Sequence, residues 1–311
     1  MRLRAPVLFD PIRLRNRLQG PVWAQVQTVD RCNAACRMCL YSSLNRRGPA
    51  HFMDEGLYAR ILDGFRRSGT LKLLELMLQN EPLMDGQLAR RIRLAREALG
   101  PGVQIGTVTN GSPLTEKRAQ ELLEAGLDML EVSIDAASRQ TYELIHRGLD
   151  FDRVIRNTES VLRRAGRTTV RVRFLKLRQN EAEQEEFVRY WRSRGVPVLV
   201  YSLVNRAGRL DEFERLKRPR DKLLIKGLKS LAGRLYPRCI KLFTTINVLW
   251  DGRVILCSND WTSRVVVGDL SQQSLPEVWN GERMNYYRHL LWAHRYAQSP
   301  PCSDCSVVRF R

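Results

Sequence analysis

The sequence predicts an α/β protein with a partial (β/α)6 barrel, open on one side, followed by a smaller C-terminal domain. Predicted strands and amphipathic helices alternate along most of the chain, which is typical of a parallel sheet with crossover helices. The length of 311 residues exceeds one average domain and suggests about two. No repeat of fixed period and no low-complexity tract interrupts the alternation.

Six strands are predicted in the first two thirds of the chain. They cover residues 24–30, 71–78, 103–110, 127–135, 168–177 and 196–205. Between them, segments such as LTEKRAQELLEAG and EAEQEEFVRYWRSRG have apolar residues at helical spacing. Gly126 and Gly195 follow these two segments, where a glycine in the left-handed conformation commonly ends a helix.

A basic segment separates the predicted barrel from the C-terminal domain. Residues 206–238 are polar and lack strand alternation, so we interpret them as a helical linker. The predicted organisation is a basic N-terminal extension (1–23), the barrel (24–205), the linker (206–238) and a cluster-binding domain (239–311).

The C-terminal domain is expected to begin with a short hairpin. TTINVLWDGRVILCSND reads as two strands with Asp251-Gly252 as the turn. A helix is predicted from about Leu275 to His294, and a C-x-x-C loop then returns to the cysteines of this domain.

Seven cysteines in two groups carry most of the functional information. The N-terminal group is a tight C-x3-C-x2-C run of Cys32, Cys36 and Cys39. The C-terminal group comprises Cys239, Cys257, Cys302 and Cys305. Three thiolates on one loop can hold three irons of a [4Fe–4S] cube and leave the fourth iron open to a ligand, whereas four thiolates can ligate a second cube completely.

Zinc and disulfides are the alternative interpretations of these cysteines. The C-terminal four could form a structural zinc site, but the N-terminal three lack the usual pair-plus-pair spacing. His51, the nearest histidine, is read as an ordinary loop residue. Disulfides need an oxidising compartment, and the basic N-terminus has neither the apolar stretch nor the cleavage site of a signal peptide. No apolar run is long enough to span a bilayer, so we expect a cytoplasmic protein.

Four segments of the predicted barrel resemble the radical S-adenosylmethionine (SAM) superfamily. AQVQTVDRCNAACRMCLYSS is similar to the first strand and cluster loop of that family. LELMLQNEPLMD resembles the segment after the second strand, although Gln79-Asn80-Glu81-Pro82 stands where the family usually has Gly-Gly-Glu-Pro. GTVTNGSPLT and LEVSIDAASRQTYELIHRG resemble the third- and fourth-strand segments, so that the resemblance covers about residues 24–205.

The C-terminal domain resembles the SPASM and shorter twitch extensions of that superfamily. The similar segments are RCIKLFTTINVLWDGRVILCSNDW, VVVGDLSQQSLPEVWNG and CSDC. A full SPASM domain normally needs about seven cysteines for two clusters, whereas this chain offers four, the number for one auxiliary cluster. The twitch version therefore fits better, and it is the type found in an aminocyclitol dehydrogenase of aminoglycoside biosynthesis.

The resemblance implies SAM and two [4Fe–4S] clusters as cofactors. Electron transfer from the first cluster would cleave SAM to a 5′-deoxyadenosyl radical, which abstracts hydrogen from unactivated carbon. By match to the family, Glu81 accepts hydrogen bonds from the SAM ammonium group. The other residues expected near SAM are Met38, Gln79, Asn80, Thr109, Asn110, Ser133, Asp135 and Arg173. Gln79 and Asn80 would reshape the methionine pocket, and Met38 either offers its backbone to adenine or simply packs.

Strand alternation places further polar side chains toward the barrel. Glu131, Ser133 and Asp135 are predicted on one face of the fourth strand, where Ser133 and Asp135 would contact ribose or carboxylate unless they cap the strand end. Arg171 and Arg173 share a face of the fifth strand. Arginines within a strand need an acidic partner or the cavity, so Arg173 would contact SAM carboxylate or substrate. The alternative is a surface arginine.

The net charge of +19 suggests anionic partners. We find no motif for nucleic-acid binding and expect none. An acidic flavodoxin or ferredoxin as electron donor, or a substrate carrying phosphate or carboxylate, would use this charge.

The sequence predicts a radical SAM oxidoreductase that performs a two-electron oxidation of a sugar-like or aminocyclitol alcohol. The catalytic base is not identifiable from sequence. A maturase of a ribosomally made peptide is a second interpretation, although only 23 residues precede the first predicted strand. A non-catalytic, metal-stabilised basic binding protein is a third. If both clusters are complete, no cysteine remains to return hydrogen to a substrate radical, which favours net oxidation.

Overall fold

One nine-stranded sheet runs through the part of the chain that the computed structural model describes, residues 19–44, 48–218 and 237–309. Its strand order is β6-β5-β4-β3-β2-β1-β7-β8-β9. The strands are β1 (Trp23–Val26), β2 (Leu73–Glu75), β3 (Gln104–Thr109), β4 (Met129–Ser133), β5 (Thr169–Lys176), β6 (Val198–Ser202), β7 (Thr245–Val248), β8 (Arg253–Ile255) and β9 (Val266–Asp269). Strands β1 to β7 pair in parallel, and β8 and β9 pair antiparallel. The predicted α/β class with a parallel sheet is therefore confirmed.

Each of the six predicted barrel strands is present and shorter than predicted. Five lie within their predicted ranges, and β1 begins one residue before its range. One face of the sheet is predominantly apolar and buried. Ala24, Leu74, Ile105, Leu130 and Val172 lie on it, and all have no exposed surface. This face packs against the crossover helices, so the opposite face lines the interior of the partial barrel.

Six helices follow the barrel strands. They are α1 (Glu55–Ser68), α2 (Leu88–Leu99), α3 (Glu116–Glu124), α4 (Arg139–Ile145), α5 (Phe151–Leu162) and α6 (Gln184–Arg192). Four begin with a side-chain cap in which Asp or Ser/Thr accepts a backbone N–H of the first turn, as Asp54 does for Leu57 at 3.0 Å. Gly126 and Gly195 have φ of 92° and 72°, which confirms their predicted role after α3 and α6.

The predicted linker and N-terminal extension are described only in part. A short helix, α7 (Phe213–Leu216), lies in the linker, and residues 1–18 and 219–236 lie outside the described residues. In the part that the structure describes, no helix is long and apolar enough to cross a membrane.

The C-terminal segment extends the barrel sheet. Strand β7 pairs in parallel with β1, with Trp23 opposite Thr245 and Val26 opposite Val248. The hairpin turn lies at Asp251-Gly252 as predicted, and Gly252 has φ of 92°. The remaining helices are α8 (Lys241–Thr244), α9 (Leu275–Trp279), α10 (Glu282–Trp292), α11 (Pro300–Ser303) and α12 (Ser306–Arg309).

The prediction of one helix from Leu275 to His294 is wrong. The chain forms two helices, α9 and α10, with Asn280 and Gly281 between them. Gly281 is extended, and a Cβ built on it would lie 2.5 Å from the Glu277 carbonyl oxygen. The tight turn therefore requires glycine, and helical periodicity alone did not reveal it.

Candidate cofactor site and barrel interior

The loop that carries Cys32, Cys36 and Cys39 is fixed by the segment after α4. Backbone N–H groups of the loop donate to that segment, Ala35 to the Arg147 carbonyl at 2.9 Å and Arg37 to the Ile145 carbonyl at 3.0 Å. Burial, with smaller contributions from the charges of Glu81, Cys36 and Cys39, raises the pKa of Cys32 to about 12. Three thiols on one loop suit a metal cluster, which would offset the cost of ionising them by binding them as thiolates.

A buried histidine contacts the middle cysteine. His146 Nδ1 lies 3.2 Å from Cys36 Sγ, and His146 Nε2 lies 2.9 Å from Asp135 Oδ2. Burial acts to lower the pKa of His146, but the charges of Cys36 and Asp135 outweigh it and raise the pKa to about 10. Sequence reasoning missed His146. Its position in the IHRG segment, directly after the fourth-strand motif, was the available signal.

Asp135 lies beyond the end of β4 and is committed to protein partners. The strand ends at Ser133, and Asp135 has a left-handed φ of 63°, so the predicted alternation does not extend to it. Its Oδ1 accepts the Leu175 N–H at 2.6 Å while Oδ2 contacts His146. This arrangement matches the strand-end alternative. Contact of Asp135 or Ser133 with SAM stays a prediction.

Glu81 follows β2 and is hydrogen-bonded to residues at the end of β3. Its Oε1 accepts from Thr109 Oγ1 at 2.7 Å and from the Leu83 N–H at 3.1 Å, and its Oε2 accepts the Asn110 N–H at 2.7 Å. Burial raises the pKa of Glu81 to about 7. Asn110 Nδ2 donates to Asn33 Oδ1 of the cysteine loop at 2.8 Å. Three donors leave about one lone-pair site of the carboxylate for an ammonium group.

Gln79 and Asn80, which precede Glu81, each have one side-chain polar atom bonded to the protein and one without a partner among the described residues. Gln79 has φ of 56°, a conformation that favours the glycine of the family pattern, and its Nε2 donates to the Ser258 carbonyl at 3.0 Å. Asn80 Oδ1 accepts the Leu78 N–H at 2.8 Å. Gln79 Oε1 and Asn80 Nδ2 are shielded from solvent and have no partner among the described residues. Both groups are therefore suited to a polar ligand.

Met38 packs in an apolar cluster with Leu40, Ile145 and Trp261, which includes contacts with Cys36 and Cys39. Its side chain is buried, as the packing alternative predicted. His51 is likewise a structural residue, because it contacts Asp30 at 2.7 Å and stacks on Trp250 at 4.6 Å between ring centroids.

The arginines of β5 face the barrel interior. Arg173 Nε lies 3.4 Å from Glu131 Oε2, and Arg171 Nη1 lies 3.9 Å from Glu131 Oε1. The Arg173 guanidinium also lies 4.5 Å from the ring centroid of Tyr201. Glu131 is the acidic partner that sequence reasoning required, so Arg173 is not a plain surface arginine.

The four C-terminal cysteines line one cavity that is partly open to solvent. Burial raises the pKa of Cys239 to about 11 and of Cys302 to about 12, and their neighbouring thiolates add to both shifts. In the described residues, no three Cys, His, Asp or Glu side chains converge as ligands of one metal ion would. Four free thiols around one cavity are the ligand set of a fully ligated iron–sulfur cube.

A chain of contacts joins the two cysteine groups. The Asn259 N–H lies 3.5 Å from Cys257 Sγ, and Asn259 Oδ1 accepts from Arg206 Nη1 at 3.2 Å. The Arg206 guanidinium lies 5.9 Å from the ring centroid of Trp261, which packs with the N-terminal cysteine loop. Sequence reasoning assigned Arg206 to the linker and missed this position between the two sites.

Family models match both parts of the chain. The model described as the radical SAM superfamily matches residues 26–191, more than half of the sequence, and the model described as the SPASM iron–sulfur cluster-binding domain matches residues 239–306.

Curated relatives are similar over nearly the whole chain. An S-adenosyl-L-methionine-dependent 2-deoxy-scyllo-inosamine dehydrogenase of Niallia circulans is 22% identical over 91% of this chain and 92% of that protein. A tungsten-containing aldehyde ferredoxin oxidoreductase cofactor-modifying protein of Pyrococcus furiosus is 24% identical over 91% of this chain and 86% of that protein.

Solved structures share the fold at low sequence identity. BtrN in complex with AdoMet and 2-DOIA has a TM-score of 0.63 at 20% identity, covering 91% of this chain and 92% of that one. Streptococcus suis SuiB bound to precursor peptide SuiA has a TM-score of 0.69 at 13% identity, covering 96% of this chain and 73% of that one.

Proposed function

Since the chain belongs to the radical SAM superfamily, we propose that it oxidises a hydroxyl-bearing carbon of a sugar-like or aminocyclitol substrate to a carbonyl. The observation that carries this proposal is the distribution of its cysteines. All seven lie in two groups, three on the β1 loop and four around the C-terminal cavity, so that none remains as a hydrogen-donating thiol once both clusters are bound. The 22% identity with the Niallia circulans dehydrogenase, over nearly the full length of both chains, supports the substrate class.

SAM and iron–sulfur clusters are the cofactors of the family and domain to which the two parts of the chain belong. SAM on the first cluster supplies a 5′-deoxyadenosyl radical for hydrogen abstraction. Cys32, Cys36 and Cys39 would hold the first cluster, and Glu81 and Asn110 orient the adjoining loop by their hydrogen bonds. Gln79 and Asn80 would bind polar groups of SAM with their unpartnered side-chain atoms.

The four C-terminal cysteines would ligate the auxiliary cluster, which accepts the second electron. Asn259, Arg206 and Trp261 then separate the two cluster sites. Arg206 would hold positive charge between two anionic groups. Its Nε is shielded from solvent and has no partner among the described residues.

The charge and the free thiols support an electron donor and a cellular compartment for the enzyme. The net charge of +19 supports an acidic flavodoxin or ferredoxin as the electron donor. Seven free cysteines support a reducing compartment, which we take to be the cytoplasm. We propose to divide the chain at 1–23, 24–205, 206–238 and 239–311. Strand β7, which lies in the last of these parts, continues the barrel sheet.

Peptide maturation is the second candidate function. The similarity to peptide-bound SuiB supports it, but at 13% identity it concerns the fold alone, and this chain covers 73% of SuiB. A non-catalytic binding protein is not supported, because the chain is a member of an enzyme superfamily.

Reaction in deuterated water distinguishes the outcomes. We expect the reduced enzyme, with SAM and 2-deoxy-scyllo-inosamine or a related polyol, to form a product two mass units lighter than the substrate, with one SAM consumed per product. The carbon-bound hydrogen should appear in 5′-deoxyadenosine, because the cysteine count leaves no thiol to return a hydrogen atom. Mass spectrometry of both products measures this.

A panel that includes short peptides is the control. A product of unchanged mass formula, inverted at one carbon and carrying one solvent deuterium, would contradict oxidation. Turnover of a peptide without turnover of any polyol would favour the maturase function.

A further inference from the structure

The interior face of the sheet holds a second buried carboxylate besides Glu131. Glu75 lies on β2, opposite Gln25 of β1, and is 6% exposed. Gly106 stands opposite it on β3, and the Met129 side chain of β4 occupies the space that a side chain at Gly106 would fill. Trp23 and Gln25 remain partly exposed on this face although β1 is an inner strand between β2 and β7. The interior face beside Glu75 is therefore not sealed from solvent.

Hydrogen bonds hold one oxygen of Glu75 and leave the other available. Oε2 accepts from Gln25 Nε2 at 2.9 Å and from Trp23 Nε1 at 3.1 Å. Among the described residues, no donor contacts Oε1, and that atom is not sealed from solvent. Two neutral donors thus fix the orientation of the carboxylate, with a free acceptor on the open side.

The two interior carboxylates differ in their charge partners. Glu131 lies between Arg171 and Arg173, whereas Glu75 has no ion pair with any described residue. Burial raises the pKa of Glu75 and the hydrogen bond from Gln25 lowers it. Of the nearby charges, Glu131 raises the pKa and Arg173 lowers it. We therefore consider Glu75 the better candidate to accept a proton, because the groups that contact it directly are neutral donors, whereas a salt bridge stabilises an ionised carboxylate.

We propose that Glu75 is the general base that accepts the substrate hydroxyl proton, an assignment that rests on the proposed oxidation. The balance of the step is complete. The carbon-bound hydrogen atom leaves to the adenosyl carbon of SAM, the hydroxyl proton to Glu75 Oε1, and the remaining electron to the oxidised auxiliary cluster, as the carbon–oxygen double bond forms. Arg171 and Arg173, paired with Glu131, line the same interior and would contact the other oxygen atoms of the substrate.

The test measures the ratio of 5′-deoxyadenosine to carbonyl product with 2-deoxy-scyllo-inosamine and myo-inositol as probes. For the wild type we expect a ratio near one. Glu75→Gln keeps size and hydrogen bonding but removes the base, so we expect product formation to fall about 10²- to 10⁴-fold. Hydrogen abstraction does not need Glu75, so the ratio of 5′-deoxyadenosine to carbonyl product should rise at least tenfold.

Two variants separate a base from a structural residue. Glu75→Asp should restore part of the product, and formate added to Glu75→Ala should restore product in proportion to its concentration. Glu131→Gln is the matched control, because it removes the other interior carboxylate. It should raise the KM and leave the ratio near one. Iron content and circular dichroism of each variant establish that both cluster sites and the fold are intact.

Three results would overturn the assignment. A Glu75→Gln enzyme with a ratio near one and near-wild-type turnover shows that Glu75 does not take the proton. A raised ratio in Glu131→Gln but not in Glu75→Gln transfers the role to Glu131. A wild-type enzyme that releases 5′-deoxyadenosine but no product two mass units lighter contradicts the proposed oxidation itself, and the role of Glu75 falls with it.

Discussion

Replacing Cys36 with alanine should reduce the iron content of anaerobically reconstituted protein from about eight to about four atoms per chain and abolish SAM cleavage. Cys36 supplies one of three thiolates on a loop with no other cysteine, so the N-terminal cube cannot form without it. Iron and acid-labile sulfide analysis, with electron paramagnetic resonance of the reduced protein, measures the loss. Cys32→Ala and Cys39→Ala should behave alike.

Cys257→Ala is the matched control for the second site. It should also remove about half of the iron, because Cys257 lines the C-terminal cavity, but it should leave some SAM cleavage uncoupled from product. Zinc in the C-terminal cavity, with about four irons in the wild type, would overturn the two-cluster model and restore the zinc alternative.

Replacing Glu81 with glutamine should weaken SAM binding at least tenfold with iron content unchanged. A charge-assisted hydrogen bond from an ammonium group contributes about 1.5–3 kcal/mol, and tenfold in affinity corresponds to about 1.4 kcal/mol. Glutamine keeps the size of the side chain but removes the charge and one of the oxygens that hold Thr109 and Asn110. Equilibrium binding of SAM to the cluster-loaded protein measures the effect.

Glu183 offers a control of similar architecture. Its carboxylate accepts hydrogen bonds from the Ala137 and Ser138 N–H groups and from two hydroxyls at the start of α4. Glu183→Gln should therefore cost hydrogen bonds in the same way without changing SAM affinity. Equal SAM affinity in wild type and Glu81→Gln would show that the three protein donors occupy Glu81 fully and that its role is structural.

Local patterns predicted the elements of this fold well, because each depends on neighbouring residues. Alternation placed all six barrel strands, and Asp251-Gly252 marked the hairpin turn. The strand lengths and the break at Gly281 were not predictable in this way. They depend on backbone contacts, such as that with the Glu277 carbonyl, that periodicity does not record.

The residues of the site likewise differ in how far they could be predicted from local sequence. Cysteine spacing and the motif around Glu81 were recognisable because each lies within one short segment of the chain. His146 contacts a cysteine 110 positions away, and Gln79 contacts Ser258 at a separation of 179. Glu75 gains its surroundings from β1, 50 positions earlier. Such partners are set by the order of strands in the sheet, which a single sequence does not encode in any short pattern.

Besides carrying four cysteines, the C-terminal segment covers an edge of the barrel sheet, because β7 pairs with β1. Without β7, β1 would become a sheet edge with a row of free N–H and C=O groups beside the buried side chains of Ala24 and Val26. Such an edge is a template for pairing with other chains. A barrel cut away at the linker would thus expose this edge and be prone to aggregation.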